Sequence, residues 1–316
     1  MRISTRRRGV CLALCLALLT ACGNTAAASA APAAQSAEDE QPEPTPPADP
    51  YQAPALALSA FHQDAAIGTA AVGIDVSCVS QGYVAVSATG DARLKFQVEC
   101  GGTKYNYDLP GDGTPASFPL QMGDGIYSFR VLENTSGTKY AVLYETSADV
   151  TLDDEFQPYI RPSEMVRYTA DSACVAKAAE LAKMAGDDAG AAAQIFAYVT
   201  QNITYDSAKA ATVEDGYLPD PDATLAAGTG ICYDYAALTA AMLRSQGIPA
   251  KLITGYVEPG EIYHAWNMIW LENTGWITVG FEAPAHSWQR IDTTFAAGAA
   301  ADFTGDGTSY TDRYTY

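Results

Sequence analysis

Histidine is scarce in these 316 residues: there are three, His62, His264 and His286. A His-rich metal centre is therefore excluded, and any reaction that needs an imidazole base has three candidates at most. Basic side chains are also few, 18 Lys and Arg against 37 Asp and Glu, for a net charge of −19. A nucleic-acid binder needs cations for its phosphates, so this deficit excludes that class. Long apolar runs are missing too. After the N-terminal segment no stretch reaches the 18 apolar residues that a membrane-crossing helix requires. Hydrophobic residues nevertheless make up 48% of the chain and aromatics 10%, enough for most of it to bury a core.

The first residues read as export, not fold. Arg2, Arg6, Arg7 and Arg8 form a basic leader, and the apolar run Val10–Leu19 is too short to span a bilayer comfortably. Leu19-Thr20-Ala21-Cys22 resembles the lipobox of bacterial lipoproteins. That resemblance implies a signal peptide over residues 1–21 and a lipid on Cys22, anchoring the chain to the outer face of the bacterial cell membrane. The plainer alternative is an ordinary signal peptide cut nearby. Removing residues 1–21 takes away four arginines and no acid, so the net charge moves from −19 to −23. Such acidity keeps a surface solvated and does not name a substrate.

Residues 22–55 cluster Pro42, Pro44, Pro46, Pro47 and Pro50 among alanines and acids, and are expected to form a disordered spacer. Residues 56–155 read as a small, all-β, sandwich-like domain. Short alternating runs recur at Val72–Val79, Tyr83–Ala88, Leu94–Glu99, Tyr105–Leu109, Ile126–Leu132 and Ala141–Tyr144, with glycine turns between them. No histidine falls between Val72 and Leu152, so binding or spacing is its expected role. Cys78 and Cys100 lie here; a disulfide between them and two buried thiols are both open.

From Ser163 the period becomes helical. Ser172 can cap a helix through Lys183–Met184, and Asp187 or Asp188 opens another. Gly228-Thr229-Gly230-Ile231-Cys232 then leads into an apolar helical run closed by Gly247-Ile248-Pro249, which puts Cys232 at a helix N-terminus. There the helix dipole and free N–H groups favour a thiolate. Strand-like runs follow at Lys251–Val257, at His264–Leu271 and before Asp292. These are the parts of a thiol-nucleophile site: a cysteine, a histidine that takes its proton, and an aspartate that fixes the imidazole tautomer. Spacing alone does not separate this from a buried cysteine and a structural histidine.

Several segments resemble the core of the bacterial transglutaminase-like superfamily: Gly230-Ile231-Cys232-Tyr233-Asp234-Tyr235-Ala236, Leu243 to Ala250, Gly255-Tyr256-Val257, His264-Ala265-Trp266, and Trp288 through Asp292 to Phe295. The likeness spans Asp187 to the C-terminus, with a looser match at Asp154–Tyr159. It implies a papain-like α+β fold for residues 156–316 and Cys232, His264 and Asp292 as the catalytic triad, with no cofactor. The family's Asp-Pro-Thr is Asp292-Thr293-Thr294 here, which changes the turn but keeps the carboxylate. The segment Gly275 to Trp288 is longer than a minimal core and is expected to add a hairpin.

An oxyanion hole needs donors. The Cys232 backbone N–H is the natural first one, with Tyr205 and Gln201 as candidates for the second. Other residues have plainer readings. His62 reads as exposed and polar, His286 as a hairpin tip, and Cys174 as core. Asp302–Gly307 suggests a Ca²⁺ loop only faintly, because Arg313 stands where a glutamate is needed. Trp266, Trp270, Trp276 and Trp288 read as packing, with Trp266 also placed to shield His264. The expected function is acyl transfer, or amide or peptide hydrolysis, through a Cys232 thioester. Protein or peptide substrates, including cell-wall peptides, are the expected partners. A non-catalytic surface binding module is the competing reading.

Overall fold

The computed structural model describes residues 45–257, 262–271, 277–278, 281–282, 288–294, 296–297 and 310–316. The expectations on residues 1–21, Cys22, Trp276, His286 and the Asp302–Gly307 loop lie outside the described residues.

Alternating burial builds the N-terminal half. Its strands are β1 (Ile67–Gly68), β2 (Val72–Asp75), β3 (Tyr83–Ala88), β4 (Leu94–Cys100), β5 (Thr103–Leu109), β6 (Ala116–Pro119), β7 (Gly125–Ser136) and β8 (Lys139–Val150). In β4, Leu94, Phe96 and Val98 are buried between the more exposed Lys95 and Gln97; in β7 the buried set is Tyr127, Phe129 and Val131. Antiparallel pairing gives two four-stranded sheets, ordered β1-β2-β3-β6 and β5-β4-β7-β8. Their apolar faces meet at Phe118, whose ring centroid lies 4.9 Å from Phe96 and 4.7 Å from Tyr107. This is the sandwich that the strand spacing predicts. Strand β6 is an addition, because Ala-Ser-Phe-Pro is too short to display a period.

Of the two readings left open for Cys78 and Cys100, the structure has free thiols, not a disulfide. Cys78 packs with Tyr83 and Ala85, whereas Cys100 ends β4 in the other sheet and packs on the main core. His62 is half exposed, as expected, yet it is pinned to the sandwich. Its Nδ1 lies 2.9 Å from Oδ2 of the buried Asp75, and its backbone N–H donates to the same oxygen at 2.7 Å.

The second half opens with α1 (Ala173–Ala182), α2 (Asp188–Asn202), β9 (Thr204–Tyr205), α3 (Ser207–Thr212), α4 (Pro221–Ala227) and β10 (Thr229–Gly230). Asp187 caps α2 by accepting from the Gly190 N–H. Ser172 precedes α1, but its side chain caps nothing there. The Asp222 carboxylate of α4 does so instead, accepting from Ala173 N and Cys174 N at 3.1 and 2.9 Å.

Helix α5 (Cys232–Ser245) is buried from Asp234 to its last residue, as its nearly uninterrupted apolar sequence demands. It packs against α1, α2 and α4, and against the hairpin of β11 (Ala250–Val257) and β12 (Ile262–Trp270). Strands β13 (Ile277–Thr278) and β14 (Phe281–Glu282) form a short antiparallel pair within the long insertion. With β15 (Trp288–Ile291) and β16 (Tyr310–Thr315), the main sheet runs β15-β12-β11-β16 and is antiparallel. Asn267 pins β12 to the helix by donating to Ala236 O at 3.0 Å.

The fully buried Arg244 gathers three distant segments at the far end of α5. It donates to the carbonyls of Ala250, Arg161 and Tyr316 at 2.9, 3.0 and 3.0 Å. Burial pulls its guanidinium down to about 10. Tyr51, within the expected spacer, docks on this half. Tyr51 donates through its N–H to Ala185 O and through its hydroxyl to Gln246 O, at 2.7 and 2.8 Å. One apolar core runs from Val72 to Leu271 across both halves, an α+β layout.

Candidate active site

Cys232 is the first residue of α5, delivered there by a pair of two-residue strands. Strand β10 pairs in parallel with β9, which sets Tyr205 beside Gly230. Asp234, in the first turn of α5, curls back so that its Oδ2 accepts the Ile231 N–H at 2.8 Å. Only glycine at position 230 leaves room for this, because a Cβ there would lie 2.6 Å from the Asp234 Cβ. Asp234 is wholly buried and further satisfied by Lys209 Nζ at 2.6 Å and by the Tyr217 hydroxyl. This cluster was missed in the sequence, although an acid in a first helical turn is a readable signal.

His264 projects from β12, is 5% exposed, and places Nε2 2.8 Å from Asp292 Oδ2. Cys232 lies near enough to the ring to favour its charged form. Burial works against a charged ring, but the bond to Asp292 and the influence of Cys232 outweigh it and hold His264 at about 9. Trp266 lies two residues further along β12, with its ring nearly parallel to the imidazole at 6.1 Å. It is itself buried, so it shields the site as well as packing it.

Asp292 follows β15 at the head of a short helical turn, where Ala296 N donates to its carbonyl at 3.1 Å. Thr293, standing where the family pattern has proline, is buried with its hydroxyl 3.3 Å from that of Thr239 on α5. The altered turn is thus tied to the helix that carries the cysteine. Asp292 Oδ2 also receives the Tyr310 hydroxyl at 3.0 Å, a contact that sequence reasoning did not foresee.

The two oxyanion candidates part company. Tyr205 packs near Cys232; burial, and then the charge of the cysteine, push its hydroxyl above the ordinary value. Gln201 is solvent-exposed near the end of α2. Cys174 is buried in α1, and burial together with Asp222 pushes its thiol well up, which suits core and not chemistry. Among the described residues no cluster of His, Cys, Asp and Glu suits a metal ion.

The chain can be set beside known proteins. It is similar to a candidate cysteine protease from Cytophaga hutchinsonii, at 15% identity and a TM-score of 0.38, over 74% of this chain and 79% of that one. The periplasmic domain of TgpA from Pseudomonas aeruginosa gives 15% identity and a TM-score of 0.33, over 74% and 96%. Red sea bream transglutaminase gives 15% and 0.29, over 67% and 48%. No curated protein matches the chain. Residues 175–281, which include Cys232 and His264, match the model of the transglutaminase-like superfamily.

Proposed function

We propose that the protein is a cysteine enzyme that transfers acyl groups through a thioester on Cys232. The observation that carries this reading is His264 hydrogen-bonded to Asp292, with the cysteine that opens α5 near enough to favour the charged ring. A histidine held at about 9 keeps its proton at neutral pH and so stabilises a thiolate beside it.

The Cys232 thiolate attacks the carbonyl carbon of a carboxamide or peptide. The C–N bond breaks, and His264 Nδ1–H protonates the departing nitrogen. Water or a primary amine then attacks the thioester, gives its proton to His264, and releases Cys232 as thiolate. The Cys232 backbone N–H and Tyr205 are the proposed donors to the tetrahedral oxyanion. Protein and peptide chains, including cell-wall peptides, are the proposed substrates. The sequence around Cys22 supports a lipid anchor on the outer face of the bacterial membrane. Metabolic labelling with a palmitate analogue, lost in Cys22→Ala, tests that part.

The decisive experiment is thioester trapping on Cys232 from peptide libraries and cell-wall fragments, with and without a primary amine. An acylated Cys232 peptide, absent in Cys232→Ala, is expected. Amidase, protease and crosslinking activities all unchanged in Cys232→Ala would sink the assignment.

A further inference from the structure

Two donors converge on one oxygen of Asp292. Oδ2 meets His264 Nε2 at 2.8 Å and the Tyr310 hydroxyl at 3.0 Å. Tyr310 opens β16, which pairs with β11 and not with β15, the strand that leads into Asp292. Packing fixes its position: the phenol ring stands edge-on to Trp266, with centroids 4.9 Å apart and planes at 74°. The same tryptophan stacks on His264.

We propose that Tyr310 is a positioning residue, which holds the Asp292 carboxylate in the one rotation that receives His264. The proposal rests on the Cys–His–Asp reading above. A carboxylate turns readily about its last side-chain torsion, and that torsion has broad minima. A charge-assisted donor on the oxygen that faces the imidazole, mounted on an independently packed ring, restrains that rotation. Asp292 then meets an imidazolium without reorganising. Tyr310 thereby widens the pH range over which Cys232 and His264 exist as thiolate and imidazolium.

The test is the pH profile of Cys232 alkylation by iodoacetamide, followed by peptide mass mapping in the full chain with Cys174 as internal reference. The natural protein is expected to alkylate at Cys232 well below neutral pH. Tyr310→Phe keeps the ring against Trp266 and loses only the hydroxyl. Its onset is expected to rise by about half a pH unit, roughly threefold slower alkylation on the acid limb. Asp292→Asn is expected to move the onset further in the same direction. An onset in Tyr310→Phe that stays put, or moves to lower pH, overturns the proposal while leaving the triad intact. Tyr310→Leu guards against a packing effect. A shift in the leucine variant with none in the phenylalanine variant assigns the effect to the ring and likewise overturns it. A natural protein whose Cys232 labels no faster than Cys174 overturns the triad reading itself.

Discussion

Gly255 and Thr311 approach so closely that no side chain fits between them: a Cβ on Gly255 would lie 2.1 Å from the Thr311 carbonyl oxygen. Gly255 pairs with His264 on one side, and the β11–β16 register shifts at this point on the other. A backbone carbonyl cannot rotate away as a side chain would. Gly255→Ala is therefore expected to lever β16 off β11 at a cost of about 2–3 kcal/mol, measured by urea unfolding. Because Tyr310 leaves with β16, Cys232 alkylation at acid pH should slow as well.

Asp234 is expected to matter more to stability than its partners do. Asp234→Ala strips Lys209, Tyr217 and the Ile231 N–H of their common acceptor and should cost about 3 kcal/mol. Tyr217→Phe, which leaves the ion pair whole, should cost about 1 kcal/mol. Denaturant midpoints of the two variants check the order.

Arg244 makes a parallel case with backbone acceptors. Arg244→Met leaves the buried carbonyls of Ala250 and Arg161, and the part-buried Tyr316 oxygen, without their donor and is expected to cost about 3 kcal/mol. Arg244→Lys should not rescue it, because a compact ammonium cannot reproduce the guanidinium fork. Thermal unfolding of both variants reads this directly.

Stability should fall with rising alkalinity. His264 is held at about 9 in the fold against an ordinary 6.5, so the native imidazole keeps a proton that the unfolded one releases. The imidazole's contribution is whole below about pH 6.5 and is lost as pH rises through about 9. The proton given up by the proposed thiolate offsets it until the unfolded thiol ionises near about 8.5, so urea midpoints should decline between about pH 8.5 and 10, and Asp292→Asn should flatten that decline.

Cys78 and Cys100 should behave as thiols. Denaturation without reductant is expected to leave both open to alkylation, with no pair of masses joining their peptides. A disulfide-linked peptide would contradict the two separate apolar settings in which they sit.

Much of the site was legible because its signals are local. The glycine-rich approach, the apolar run and Gly247-Ile248-Pro249 announce α5 and put Cys232 at its head, and period-two alternation announces most of the sandwich. What stayed hidden depends on pairing between distant segments. Asp222 caps a helix 48 residues away, so Ser172 looked like the cap. Tyr310 reaches Asp292 only because β16 returns to β11, and nothing near Tyr310 records that return. Strand β6 has too few residues to show a period. Tyr51 lies in a composition that suggests a spacer, and docks through two hydrogen bonds that composition cannot report.

Strand β16 comes last in chain order, yet it pairs with β11 beside the strand that carries His264. A chain growing from its N-terminus therefore carries Cys232, His264 and Asp292 for some time before Tyr310 exists. The nucleophile is made early and its surroundings are completed late.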